Sequence, residues 1–429
     1  MTDARTAAFR TLCKIERDNS YSNLLLSDTS GAVGISPNDR VLYHRMVKTV
    51  LERRITIDFN LSLYLKQPLK KLKPQVLTIL RLGACQLLFM DKIPASAAIN
   101  ESVKIAKKQG CSFASGLVNA VLRKISDNGI VLPDEKNEIN YLSKKYSFPE
   151  YICKKFCIYF GRETAEKIMA ASLETANIYI RKNTLKNEEL SLEAEKTAFP
   201  ENCYILRKPG NITESGDFAD GLFHVQDLSS QLCCRVLSPE KGETVIDVCS
   251  APGGKTMTLA QMMENEGRII SCDIHEHKLR LINDTAERLG ITIVETLLRD
   301  AADKNAVLPV ADKILCDVPC SGFGVTGKKP EIRYKDEKEI SSLPALQYEI
   351  LENSCRYLKK GGKLVYSTCT LLPEENALIC KKFLEQHNDF RAVHIDDEIK
   401  GFCDGEGLSI LPSDYDCDGF FIAAFERIE

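Results

Sequence analysis

No stretch of this 429-residue chain approaches the roughly 18 consecutive apolar residues that a membrane-spanning helix needs. The opening segment, MTDARTAAFRTLCKIERDN, is charged throughout and lacks the apolar centre of a secretion signal. Seventeen cysteines are present, yet none forms the CxxC spacing of a zinc site, so no structural metal is expected. These absences predict a cytoplasmic protein with reduced thiols and no membrane partner. An odd cysteine count also prevents complete pairing within one monomer, the state in which the chain is expected to act. With 44% hydrophobic and 27% charged residues, the composition is that of a globular protein and excludes a mainly disordered one. At about 100–200 residues per domain, the length accommodates two to four domains.

The net charge of −3 conceals a split. Residues 1–130 carry 20 Lys+Arg against 10 Asp+Glu, a net of +10, so residues 131–429 carry 37 against 50, a net of −13. A basic first part on an acidic remainder points to a polyanion at one end, although a solvated lysine-rich helical surface has the same composition.

The first 130 residues read as an all-α domain. Leu42, Met46, Val47 and Val50 recur at helical spacing over 39–53, as do Phe113, Leu117, Val118, Val121, Leu122 and Ile125 over 113–125. Pro74 and Pro94 stand where helices can begin, and Gly110 where one can end. Residues 131–235 read as a linker and small α+β region, with a helical piece in YLSKKYSFPEYICKKFCIYF and a strand in TANIYIRKNTLK. Pro200, Pro209, Gly210, Gly216 and Gly221 break 200–225 into strands and turns. Residues 236–429 alternate β and α. Candidate strands are 244–248, 268–273, 291–297, 313–317, 363–368 and 419–425, with helices such as 276–289 and 343–359 between them. This pattern predicts a doubly wound, mostly parallel, Rossmann-like sheet whose ligand lies beyond the carboxyl ends of its strands.

Chemistry-bearing residues fall at those ends. DVCSAPGGKT (247–256) follows the first strand as a glycine-rich turn into a helix. It is no P-loop, because the first glycine of GxxxxGK[ST] would stand at Cys249, and GxGxxG is absent. Asp273 closes the second strand, where a carboxylate can accept from ribose hydroxyls, and Asp300 follows the third, within reach of an adenine amino group. Asp317 ends the fourth. One such Asp is ordinarily a helix cap, but three beside a glycine-rich loop describe an adenosine-type pocket. DVPCSGFG (317–324) and YSTCT (366–370) each place a cysteine at the same edge. Cys320 and Cys369 are therefore nucleophile candidates, and residue type alone does not decide which one attacks.

DVCSAPGGKT, DVPCSGFG and YSTCT match, in order and spacing, the motifs of the RNA cytosine-5 methyltransferases of the RsmB/Sun family. Residues 92–124 resemble the NusB-type RNA-binding helical domain. The resemblance extends to RKNTLK (181–186), VQDLSSQL (225–232) and the closing DGFFIAAFER, and so covers nearly the whole chain. It implies S-adenosylmethionine as methyl donor, bound by Cys249, Ser250, Ala251, Pro252, Gly253, Gly254 and Lys255 with Asp273, Asp300 and Asp317. It implies Cys369 as the nucleophile that adds to C6 of a cytosine, Cys320 as the assistant in product release, and Asp317 at the N3 edge of the base. The implied partner is 16S rRNA or a small-subunit precursor, with position 967 as the target.

After PCSGFGV, family members tend to carry Arg-Arg-His-Pro, whereas this chain has Gly327-Lys328-Lys329-Pro330. The chain therefore lacks the arginines that would grip the RNA backbone in bidentate fashion, while Lys328, Lys329, Arg333 and Lys335 keep positive charge there. Two other readings share much of the pattern: a methyltransferase for another rRNA or tRNA cytosine, and a non-catalytic RNA-binding assembly factor. The complete loop and both cysteines argue against the second.

Overall fold

The computed structural model describes residues 3–18, 35–208, 210–305 and 307–429. Pro209 lies outside them. The chain forms two compact units, one of residues Met1–Leu173 with Lys329–Tyr334, the other of Glu174–Lys328 with Lys335–Glu429.

The described part of the first unit is helical. Its helices are Ala4–Asp18, Pro37–Ser62, Pro74–Phe89, Ala95–Lys108, Ser115–Asn128, Glu138–Tyr146, Glu150–Phe160 and Arg162–Ala171. Ser36 caps the second through its Oγ, which accepts the Asp39 N–H at 3.2 Å. Pro74 stands at the start of its helix, where the missing N–H costs nothing. Met46, Val47, Val50, Val118, Val121, Leu122 and Ile125 are all buried, as their spacing predicts. Phe113 and Leu117 are not: they are 67% and 37% exposed. The helix begins only at Ser115, after the tight turn Ser112–Ala114, and this turns Phe113 away from the core.

The second unit holds two sheets. The smaller is antiparallel in the order β2-β3-β1-β4, from β1 (Ile178–Lys182), β2 (Ala194–Lys196), β3 (Cys203–Leu206) and β4 (Phe223–Val225). The larger comprises β5 (Thr244–Asp247), β6 (Arg268–Asp273), β7 (Val294–Leu298), β8 (Ala311–Asp317), β9 (Leu358–Thr368), β10 (Phe390–Val393), β11 (Phe402–Asp404), β12 (Gly407–Ile410) and β13 (Phe420–Arg427). Its order is β11-β12-β13-β9-β8-β5-β6-β7, with β10 pairing β13. The block β9-β8-β5-β6-β7 is parallel and β13 runs antiparallel to β9. Alternate residues feed two cores: Val245, Ile269, Leu315 and Val365 one, Ile246, Ile270, Ile314 and Leu364 the other. Both faces are therefore covered, as the unbroken apolar strands predict.

The helix Glu276–Leu289 has its predicted bounds, but the one expected over 343–359 stops at Cys355 and Leu358 already begins β9. The third parallel strand begins at Val294, three residues later than 291–297 predicts, because Ile291 belongs to the turn closing the preceding helix, with its N–H on the Ala286 carbonyl. Among the described residues no helix is long and apolar enough to cross a membrane.

Candidate active site at the strand ends

The turn after β5 is shaped by its own hydrogen bonds. Ser250 donates its N–H and its Oγ–H to the Cys272 carbonyl, at 2.8 and 2.9 Å, which pins the loop to β6. The Ala251–Pro252 peptide is cis, and Gly253, at φ +103°, adopts a conformation that side-chain-bearing residues rarely take. A Cβ there would also meet Ile282 Cγ1 at 3.1 Å. The helix Gly254–Met262 starts at once, and its first N–H groups lack intrahelical acceptors. Beneath the loop, Asp247 is fully buried. Its Oδ2 accepts from Thr256 Oγ1 at 2.8 Å, its Oδ1 has no partner, and burial pushes its carboxyl up to about 7.

The strand-end acids occupy different settings. Asp273 ends β6 with Oδ1 accepting the His275 N–H at 2.9 Å, so Oδ2 remains for a ligand hydroxyl. Asp300 lies two residues beyond β7 and is exposed, with Oδ1 accepting the Ala302 N–H at 2.9 Å. Asp317 ends β8, accepting Ser367 Oγ–H at 2.9 Å and pairing with Lys255 Nζ at 2.7 Å. Lys255 thus spans from the glycine-rich loop to the loop that carries Cys320. Burial works against its charge, but the Asp317 carboxylate outweighs this and raises its pKa.

The two cysteines meet. Cys320 Sγ and Cys369 Sγ are 3.1 Å apart, and both residues are half-buried. The contact with Cys369, reinforced by burial, raises the Cys320 thiol well above its ordinary range. Cys249 is raised too, chiefly by burial. The loops are stitched together by Gly324 N–H to the Cys369 carbonyl at 2.9 Å and by Ser321 Oγ and Thr370 Oγ1 at 2.8 Å.

Three of the four basic side chains expected to face RNA are bound to the protein itself. Lys328 Nζ pairs with Asp227 and, at 2.9 Å, with Asp418 Oδ2. Burial pushes Asp418 up to about 7, with Asp227 adding to the effect, while Lys328 holds Asp227 low against its own burial. Lys335 Nζ donates to the Ser321 carbonyl at 2.8 Å. Arg333, within the first unit, is fully buried, donating to the carbonyls of Tyr146 and Ser172 at 3.0 Å each and lying over the Phe148 ring. Lys328 and Lys329 are both exposed, but the Lys328 ammonium is held by its two carboxylates. These bonds join residues 14 to 187 positions apart, which is why sequence order conceals them. Glu375 and Asn376 carry no sequence signal either, being ordinary polar residues in the chain and buried ones beside the site.

The family model for "16S rRNA methyltransferase RsmB/F" matches residues 234–426, and that for the NusB family matches residues 2–127. The probable ribosomal RNA small subunit methyltransferase B of Bacillus subtilis is 36% identical over 444 residues, covering 99% of each chain. The chain belongs to the RsmB/F methyltransferase family. A second relative, the probable ribosomal RNA small subunit methyltransferase B of a Synechocystis species, is 33% identical across 100% of both chains. The crystal structure of PH0851 superposes with a TM-score of 0.82 at 25% identity, covering 100% of this chain and 99% of that one.

Like the rest of the RsmB/F family, the chain is an S-adenosylmethionine-dependent methyltransferase. The residues present suit that donor. Free N–H groups at a helix start can donate to a carboxylate, the side-chain-free Gly253 admits close approach, and Asp273 Oδ2 is left to accept from a ribose hydroxyl.

Proposed function

We propose that this chain methylates C5 of a cytosine in small-subunit rRNA, position 967 of 16S rRNA, through a covalent Cys369–C6 adduct. The observation that carries the reading is the contact of two thiols, Cys320 and Cys369, next to the Lys255–Asp317 pair. The names of the Bacillus and Synechocystis relatives supply the substrate class.

Cytosine C5 is too weak a nucleophile to take a methyl group unaided. Addition of the Cys369 thiolate to C6 forms the S–C6 bond and leaves C5 enamine-like. S-adenosylmethionine supplies an electrophilic methyl group to that carbon. Asp317, oriented by Lys255 and Ser367, is assigned to the N3 edge, where in its protonated form it donates a hydrogen bond to N3 and offsets the charge that the addition builds up. In release, the C5 proton passes to solvent and its bonding pair forms the C5–C6 double bond. The S–C6 pair returns to Cys369, and Cys320 Sγ–H, at 3.1 Å, hydrogen-bonds the departing sulfur. The base must be unstacked for Cys369 to reach C6.

The test is incubation of small-subunit rRNA, free or in particles, with labelled S-adenosylmethionine, followed by mapping of 5-methylcytosine. The expected result is label at a single cytosine. Label at another rRNA or tRNA cytosine would move the target, and absence of label alongside retained RNA binding would favour an assembly factor.

A further inference from the structure

Two consecutive residues behind the cysteines, Glu375 and Asn376, have no exposed surface. Glu375 Oε2 accepts the backbone N–H of Ser321, the residue after Cys320, at 2.8 Å. The same oxygen accepts Gln347 Nε2 at 2.8 Å, and that nitrogen also donates to the carbonyl of Pro319, the residue before Cys320, at 3.0 Å. Both neighbours of Cys320 are therefore gripped through one carboxylate–amide pair. Asn376 treats the other cysteine in the same way. Its Nδ2 donates to the Thr370 carbonyl at 3.0 Å and its Oδ1 accepts from Thr368 Oγ1 at 2.7 Å, the residues on either side of Cys369. A single peptide bond joins the two grips.

We propose that Glu375 and Asn376 are positioning residues that set the separation of Cys320 and Cys369, and through it the release of methylated product. The consequence for release rests on the roles given to the two cysteines above; the separation does not. A buried carboxylate holds a backbone N–H more firmly than a neutral acceptor does, because charge-assisted hydrogen bonds are the stronger ones. With Glu375 removed, the Ser321 N–H and the Gln347 amide lose their shared acceptor, and the loop bearing Cys320 is free to turn from Cys369. The charge has a second effect. Together with the Cys369 contact and burial, it disfavours the Cys320 thiolate and keeps on that sulfur the proton its release role uses.

Glu375→Ala, Glu375→Gln and Asn376→Ala test this in the full-length protein by two independent readouts. In the first, turnover with rRNA is measured beside the fraction of protein that carries RNA on a denaturing gel. In the second, without RNA, a diazenedicarboxamide oxidant takes two electrons and two protons from a thiol pair. The joined Cys320–Cys369 peptides are then counted by mass spectrometry over time. Glu375→Ala and Asn376→Ala are expected to slow this disulfide at least fivefold. Glu375→Ala should also lower kcat at least tenfold with RNA KM within twofold, while RNA-linked protein builds up. Glu375→Gln, whose amide oxygen can still accept the Ser321 N–H, should recover at least half of the disulfide rate, with its alkaline limit for release moved to lower pH. If both alanine variants unfold, Glu375→Gln decides alone: a disulfide rate like that of wild type with unmoved pH limits overturns the proposal. Folded alanine variants whose disulfide rate and adduct fraction stay within twofold of wild type also overturn it. If wild type makes no 5-methylcytosine while the disulfide rate still depends on Glu375, the functional reading fails and the positioning role stands.

Discussion

Cys320 Sγ and Cys369 Sγ lie 3.1 Å apart although 49 residues separate them in the chain. Parallel β8 and β9 are neighbours, so the loops that leave their carboxyl ends are brought together, and each loop carries one thiol. Their roles separate in a simple experiment. Cys369→Ala is expected to abolish methylation and any RNA-linked protein. Cys320→Ala is expected to trap the adduct, visible as a shifted band on a denaturing gel. The opposite pattern would exchange the two roles.

Gly324 is where the loop bearing Cys320 passes closest to the rest of the sheet. A Cβ on it would lie 1.9 Å from the Gly419 carbonyl oxygen and 2.8 Å from that of Cys369. Backbone atoms cannot yield as a flexible side chain does, so Gly324→Ala must displace the loop. A destabilisation of about 3 kcal/mol is expected from such overpacking. Methylation per folded molecule should fall at least a hundredfold by the labelling assay, because Cys320 and Cys369 move apart together with the loop.

Asp247 links stability to pH. Its carboxyl titrates at about 7 in the folded protein and near 3.8 when unfolded, so between these values the folded state holds the extra proton. The contribution is therefore fully present below about pH 4, is lost as pH rises towards 7, and is flat above that. A shift of about three units corresponds to as much as about 4 kcal/mol. Asp247→Asn, which cannot ionise, removes this dependence. Urea midpoints measured from pH 4 to pH 8 should therefore fall less in the variant than in wild type. Parallel curves would count against a raised carboxyl at this position.

The basic segment after the Cys320 loop is expected to contribute structure and little RNA affinity. Arg333→Met should destabilise the protein by roughly 3 kcal/mol, since it leaves the carbonyls of Tyr146 and Ser172 without their donor. In the fraction that folds, the salt dependence of rRNA binding should match that of wild type. By contrast, neutralising the exposed pair Lys107 and Lys108 in the first unit should lower the slope of log K against log salt by about 0.7–0.9 for each phosphate no longer neutralised. A smaller slope in the Arg333 variant would mean that its guanidinium reaches RNA after all.

Much of this protein is local information, and local information is legible in a sequence. Helical spacing marked Met46, Val47 and Val50 as core, and alternating strands and helices marked the doubly wound sheet. Motif order placed Asp273, Asp317, Cys320 and Cys369 at strand ends, because a strand's carboxyl end is a matter of direction along the chain. What the sequence left open depends on neighbours in space. Whether Lys328 faces RNA or two carboxylates is decided by where Asp227 and Asp418 are folded, 101 and 90 residues away. The resemblance implies Lys255 as a ligand of the donor; that its ammonium also pairs with Asp317 follows from the position of β8 beside β5. Glu375 and Asn376 carry no pattern at all; they gain a role only through backbone groups of loops that the sheet order brings to them. The chain's residue types determined the architecture and the class of chemistry, while tertiary structure decided which charges are free and how far apart the two sulfurs stand.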